Sequence, residues 1–159
     1  MGRIYLMAGS AAISMFALAA TAHVQQAGGT ADEARAMLAK AVVAVKTDKV
    51  KALEMFNKGD SEFLDRDLYV FCNNIGDGAV VAMGNPNAKK LIGMDVRTLK
   101  DSTGKPFGQE LYSGEQAPEG QVAEVSYMFP RPGSDKTPVQ KVALVEKAGD
   151  LGCGVGYYK

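Results

Sequence analysis

The chain has 159 residues, 47% of them hydrophobic, and its 18 basic residues balance 18 acidic ones. That size suits one domain with a core of its own, and the balance leaves no basic field to hold nucleic acid or an anionic membrane. A single histidine, His23, and no tryptophan narrow the available chemistry further.

The first 24 residues, MGRIYLMAGSAAISMFALAATAHV, carry one positive charge at Arg3 and then an uncharged apolar run from Ile4 to Ala20. The run closes on Ala20-Thr21-Ala22, the small-x-small pattern of a signal-peptidase site. Residues 1–22 therefore read as a cleaved secretory signal. An uncleaved anchor is the competing reading, and the short run with its small-residue exit favours cleavage. Residues 23–31 follow as a polar linker and 32–159 as one folded domain, exported to the periplasm. Export also bears on Cys72 and Cys153: parity and an oxidising compartment favour a disulfide over two buried thiols.

Thr30-Ala31-Asp32-Glu33 fits a capping box. Apolar residues follow at Ala34, Met37, Leu38, Ala41, Val42, Val45, Leu53 and Phe56, which is helical spacing, and Gly59 is a natural terminator. The pattern predicts one long amphipathic helix whose weak point is Thr47-Asp48. Asp65-Arg66-Asp67 reads as a solvated turn leading into a strand, DLYVFCNN (67–74). Gly76-Asp77-Gly78 then turns the chain into AVVAMG (79–84), a hairpin. A long connection punctuated by Pro86, Gly93, Gly104 and Pro106 predicts helical turns at 89–91 and 107–112. Strands are expected at 120–129, with Val125, Tyr127 and Phe129 on one side, then at 139–147 and 151–158. The sum is an α+β fold with one antiparallel sheet, the N-terminal helix on one face and the long connection over part of the other.

Enzyme readings find little support. Asp65-Arg66-Asp67 lacks the other parts of a kinase catalytic loop, Ser, His and Asp assemble into no triad, and no metal-ligand spacing occurs. Gly152, Gly154 and Gly156 imitate a dinucleotide fingerprint, but no helix follows them.

Several stretches together carry a resemblance. DRDLYVF before a Gly-Asp-Gly hairpin, NPNAKKLIGMDVRTLKDSTGKPF, EVSYMFPRP and the terminal GDLGCGVGYYK resemble the single Cache domain of the second type, an extracellular sensor module of bacterial chemoreceptors and kinases. The likeness runs over about residues 32–159. It implies a PAS-like fold, a five-stranded antiparallel sheet with a long N-terminal helix. Relatives often carry histidine where this chain has Met83 and tryptophan where it has Phe129. Membrane-bound relatives continue past the last strand; ending at Lys159, the chain resembles the free-standing exported members.

The resemblance further implies a non-catalytic pocket for a small carboxylate of two to four carbons, without a cofactor. It also implies a separate membrane partner, a sensor kinase or chemoreceptor; whether two copies pair through the N-terminal helix is left open by the sequence. The residues placed to bind are Tyr69, Phe71, Met83, Tyr127, Phe129, Arg131 and Lys141. Tyr69 and Tyr127 offer phenolic donors, and Arg131 or Lys141 the positive charge. The competing function is a ligand-independent accessory protein that uses the fold as a contact surface. In the last strand, Leu151, Cys153, Val155 and Tyr157 share one side and the three glycines the other. If Cys72 and Cys153 meet, the glycines fall on the side of Tyr69 and Phe71, leaving space for bulky neighbours or for a ligand.

Overall fold

The structure, a computed structural model, describes residues 28–159. The expected signal segment and most of the linker lie outside the described residues. Both halves of the capping box form: Thr30 Oγ1 accepts from the Glu33 N–H at 3.2 Å, and Glu33 Oε2 accepts from the Thr30 N–H at 2.8 Å. Helix α1 (Ala31–Thr47) then breaks at Asp48, whose extended backbone ends α1 and whose side chain accepts from the Lys51 N–H to start α2 (Lys49–Lys58). One aspartate thus caps the second helix at the cost of continuing the first. Gly59 closes α2 in the left-handed conformation, φ 73°. No helix among the described residues is long and apolar enough to cross a membrane.

Six strands follow: β1 (Leu64–Asp65), β2 (Leu68–Asn74), β3 (Val80–Met83), β4 (Ala123–Pro130), β5 (Pro138–Ala148) and β6 (Leu151–Tyr158). All pairings are antiparallel, in the order β1-β2-β6-β5-β4 with β3 also on β2. Val70 donates to the Phe63 carbonyl and accepts from the Gly84 N–H, so β1 and β3 follow one another along the same edge of β2. The sixth strand, beyond the five expected, is the two-residue β1. It exists because Arg66 turns the chain in the left-handed region, φ 54°, held there by Asp65, Glu33 and the Gly28 carbonyl.

Alternation along the strands divides the core into two layers. Leu68, Val70, Cys72, Leu151, Cys153 and Val155 face α1 and α2. There the helices bury Ala34, Met37, Leu38, Ala41, Val42, Val45, Ala52 and Phe56. Tyr69, Phe71, Val125, Tyr127, Ala143 and Val145 face the other way. The long connection covers them with two 3₁₀ turns, Pro86–Leu91 and Val96–Thr98, and with α3 (Phe107–Gly114). Asp101 ties this cover to the sheet by accepting from the Met128 N–H of β4 at 2.9 Å. Hydrogen bonds from Thr103, then Met128, hold its carboxyl down to about 2.

Cys72 and Cys153 stand opposite one another in the β2–β6 ladder and form a disulfide, fully buried under the helices. The final strand is therefore central, between β2 and β5, and the glycines of β6 lie on the face away from the helices.

Candidate functional site

Three missing side chains shape this second face. A Cβ at Gly152 would meet the Glu115 carboxyl, one at Gly154 the Phe71 ring and Val145, and one at Gly156 the Lys141 chain. Each glycine seats a large neighbour: the space left open between neighbours and ligand is filled by protein. Gly156→Ala would push against the buried stem of Lys141. It is expected to cost about 1–3 kcal/mol in urea unfolding; wild-type stability in that variant would remove this account of the glycine.

Lys141 reverses the usual expectation for a strand lysine. It lies in the middle of the sheet, paired with Tyr127 of β4 on one side and Tyr158 of β6 on the other, and its exposure is 0%. Its ammonium donates to the Tyr69 hydroxyl at 2.6 Å. The Tyr69 ring centroid is 3.9 Å away, Tyr158 5.1 Å and Phe129 5.4 Å. Aromatic faces stabilise a desolvated cation, but an ammonium has three donors and no carboxylate among the described residues pairs with it.

The aromatic wall continues through Tyr127, whose ring stacks on Phe107 of α3 at 4.1 Å and meets Phe129 edge-on at 5.9 Å. Burial, and next the Tyr69 phenol, push the Tyr127 hydroxyl up from its ordinary range, so it stays a donor at any physiological pH. Phe71, Met83, Tyr69, Tyr127 and Phe129 line a cavity of about 30 Å³ between the sheet and its cover, room for one or two waters. Lys141 is one layer back: Tyr69 and Phe129, which enclose its ammonium, are the lining residues. Outside lies an open vestibule of about 440 Å³ bordered by Lys90, Arg131 and Lys136. Leu91 and Phe129 line both spaces and form the partition between them.

Arg131 lies at that rim. It pairs with Asp67 and its guanidinium stacks 4.6 Å over the Tyr158 ring. Asp67 is buried, 6% exposed, which corrects the reading of 65–67 as a wholly solvated turn: Asp65 and Arg66 are exposed, Asp67 is not. The reason is its second partner. Its other oxygen accepts from the Gly29 N–H at 2.6 Å, binding the residues just before α1 to the site. Gly28 and Gly29, read as linker, thus pack on the domain.

The structure therefore gathers Tyr69, Tyr127, Phe129 and Lys141 into one cluster, strings Phe71 and Met83 along the cavity, and sets Arg131 at its rim. Sequence reasoning missed Asp67, Tyr158 and Phe107. Tyr158 was within reach, since its parity puts it on the glycine side of β6, beside Lys141. Its hydroxyl donates to the Pro130 carbonyl at 2.8 Å, and burial, then the Tyr69 phenol, push its ionisation upward. Phe107 and Asp67 carried no such local signal.

Similar folds occur among solved structures. One is a methyl-accepting chemotaxis protein from Vibrio parahaemolyticus RIMD 2210633, at 20% identity over 80% of this chain and 86% of that chain, TM-score 0.62. Another is the periplasmic sensor domain of a chemotaxis protein, at 22% identity over 80% and 88%, TM-score 0.59. A third is a Cache chemosensory domain described for carboxylic acid recognition, at 21% identity over 80% and 86%, TM-score 0.57. At these identities the shared property is the fold. No curated protein matches the chain. The model of the family described as Single Cache domain 2 matches residues 10–158. With nearly the whole chain covered, the protein belongs to the single Cache domain 2 family of sensor modules.

Proposed function

We propose that this domain is an exported, non-catalytic sensor for a carboxylate of two to four carbons, and that it reports to a separate membrane partner, a chemoreceptor or sensor kinase. The observation that carries the reading is the Lys141 ammonium, buried among three aromatic rings with no carboxylate of the described residues on it. A desolvated cation of this kind gains most from an anion that brings its own charge and two acceptor oxygens. Tyr69 and Tyr127 would donate to the same carboxylate, and Phe71 and Met83 would meet its short apolar tail. The cavity holds one or two waters, so even the smallest of these acids has to displace the Phe129–Leu91 partition, and each added carbon widens that displacement. The basic rim would draw anions toward the partition. Asp67, shared between Arg131 and the Gly29 N–H, gives occupancy a route to the start of α1. Pairing of two copies through α1 and α2 belongs to the same proposal; Val43 and Val50 offer exposed apolar side chains there.

The test is a thermal-shift and calorimetric panel of acetate, propionate, pyruvate and lactate. A ligand at one hundred times its Kd is expected to stabilise the domain by about 2.7 kcal/mol. Tyr127→Phe should weaken the best of them by roughly tenfold, the loss of one hydrogen bond to a charged group. A flat panel would overturn the reading. It would favour the accessory-protein alternative, which draws on the 30 Å³ cavity and on exposed Ile92 and Met94.

A further inference from the structure

A second polar pair is buried on the same face, at the other end of β2; its Asn73 lines the same 30 Å³ cavity, but the pair is not among the proposed ligand contacts. Glu115, the residue that ends α3, has 0% exposure, and Asn73 of β2 has 1%. Asn73 Nδ2 donates to Glu115 Oε2 at 2.8 Å. The two remaining atoms, Glu115 Oε1 and Asn73 Oδ1, are both acceptors, both buried, and neither has a partner among the described residues. Two buried acceptors without a donor each cost the desolvation of a polar group. Turning the Asn73 amide over does not help, because its oxygen would then face the carboxylate.

A proton on Oε1 would turn that orphan into a donor, the kind of partner Asn73 Oδ1 lacks, since a carboxylic acid donates where a carboxylate only accepts. We propose that Glu115 is held as a neutral acid, forms a reciprocal acid–amide pair with Asn73, and serves as a proton-operated latch that fastens the C-terminal end of α3 to β2 and β6. Gly152 of β6 is the third part of the latch, because a side chain there would occupy the position of the Glu115 carboxyl.

Lys147 apart, the neighbours of the pair are apolar or neutral. Next to Glu115, Gly114 abuts Ala123 of β4 and Val145 of β5. Tyr112 of α3 turns its hydroxyl away to the Ile75 carbonyl. Lys147 of β5, opposite Gly152, is the one charged residue of that register position; it is half-buried and acts on Glu119. Burial raises the Glu115 carboxyl from an ordinary 4.5 to about 7, with the Asn73 hydrogen bond pulling it back. Folding therefore takes up a proton between these values. The stabilisation is complete below about pH 4.5 and is lost as pH rises through about 7. The latch also bears on the cavity, because α3 contributes Phe107 and Leu111 to its lining.

The test is a carbon-detected NMR titration of the Glu115 side-chain carboxyl in the wild-type domain, with thermal unfolding from pH 5 to 8.5 in wild type and Glu115→Gln. Glutamine keeps both hydrogen bonds of the pair without a titrating proton. A midpoint near 7, a wild-type Tm that falls across that midpoint and a flat profile in E115Q are the expected results. A midpoint near 4.5, or an E115Q profile that falls as wild type does, would overturn the proposal. If E115Q does not fold, the wild-type titration decides alone. Neither readout involves a ligand, so the failure of one proposal leaves the other standing.

Discussion

Lys141→Met is expected to abolish carboxylate binding, at least a hundredfold in Kd, while the domain folds with an unchanged or higher Tm. The two halves of this expectation come from one fact. Lys141 is 0% exposed and, among the described residues, its ammonium hydrogen-bonds only to the Tyr69 hydroxyl, so its burial carries a desolvation cost that the aromatic rings offset only in part. Methionine keeps the length and apolar stem of the side chain and removes the charge. Replacing buried charged groups by apolar ones of similar volume is often neutral or stabilising. The proposed binding depends on the charge, and a charge-assisted hydrogen bond is among the stronger polar contacts. Calorimetry against the four acids, together with urea unfolding, checks both halves. Retained affinity in K141M would move the site outward to the vestibule. Arg131→Ala then becomes the deciding variant, because Arg131 borders that space and not the inner cavity.

The double variant Cys72→Ala, Cys153→Ala is expected to lose roughly 3–4 kcal/mol, with a Tm lower by on the order of 10–15 °C. The bridge joins residues 81 apart in sequence, and much of its effect lies in the unfolded chain, which gains freedom once the loop is opened. The slope of the urea transition should rise with it, as the denatured chain exposes more surface. Both cysteines are fully buried in the helix-facing layer, so two alanines leave only a small void. A loss under 1 kcal/mol with an unchanged slope would show that the β2–β6 ladder holds this register without the bridge. The proposed ligand site is on the opposite face, so binding there should persist in any variant that folds.

What was readable in the sequence is what neighbouring residues decide. The capping box, the helical stripe from Ala34 to Phe56 and the turn at Gly76-Asp77-Gly78 are short-range patterns, and each appears where its spacing put it. Strand parity reached further. It put Cys72 and Cys153 on one side and the glycines on the other, and a single pairing of β2 with β6 then fixed both. The ordered motifs carried the family, because several weak signals in sequence agree on one fold.

The character of the site was decided in three dimensions. Nothing near Lys141 in sequence says that it is buried; that follows from Tyr127, Tyr158 and Tyr69 closing round it from three other strands, up to 72 residues away. Asp67 looked solvated until Gly29 and Arg131 reached it across 38 and 64 residues. Glu115 meets Asn73 across 42 residues, and that meeting leaves two buried acceptors without a donor among the described residues. Backbone periodicity is local, so the sequence by itself determined elements, faces and family. Desolvation and pairing of charge are properties of what the whole chain brings together, and the tertiary structure alone decided them.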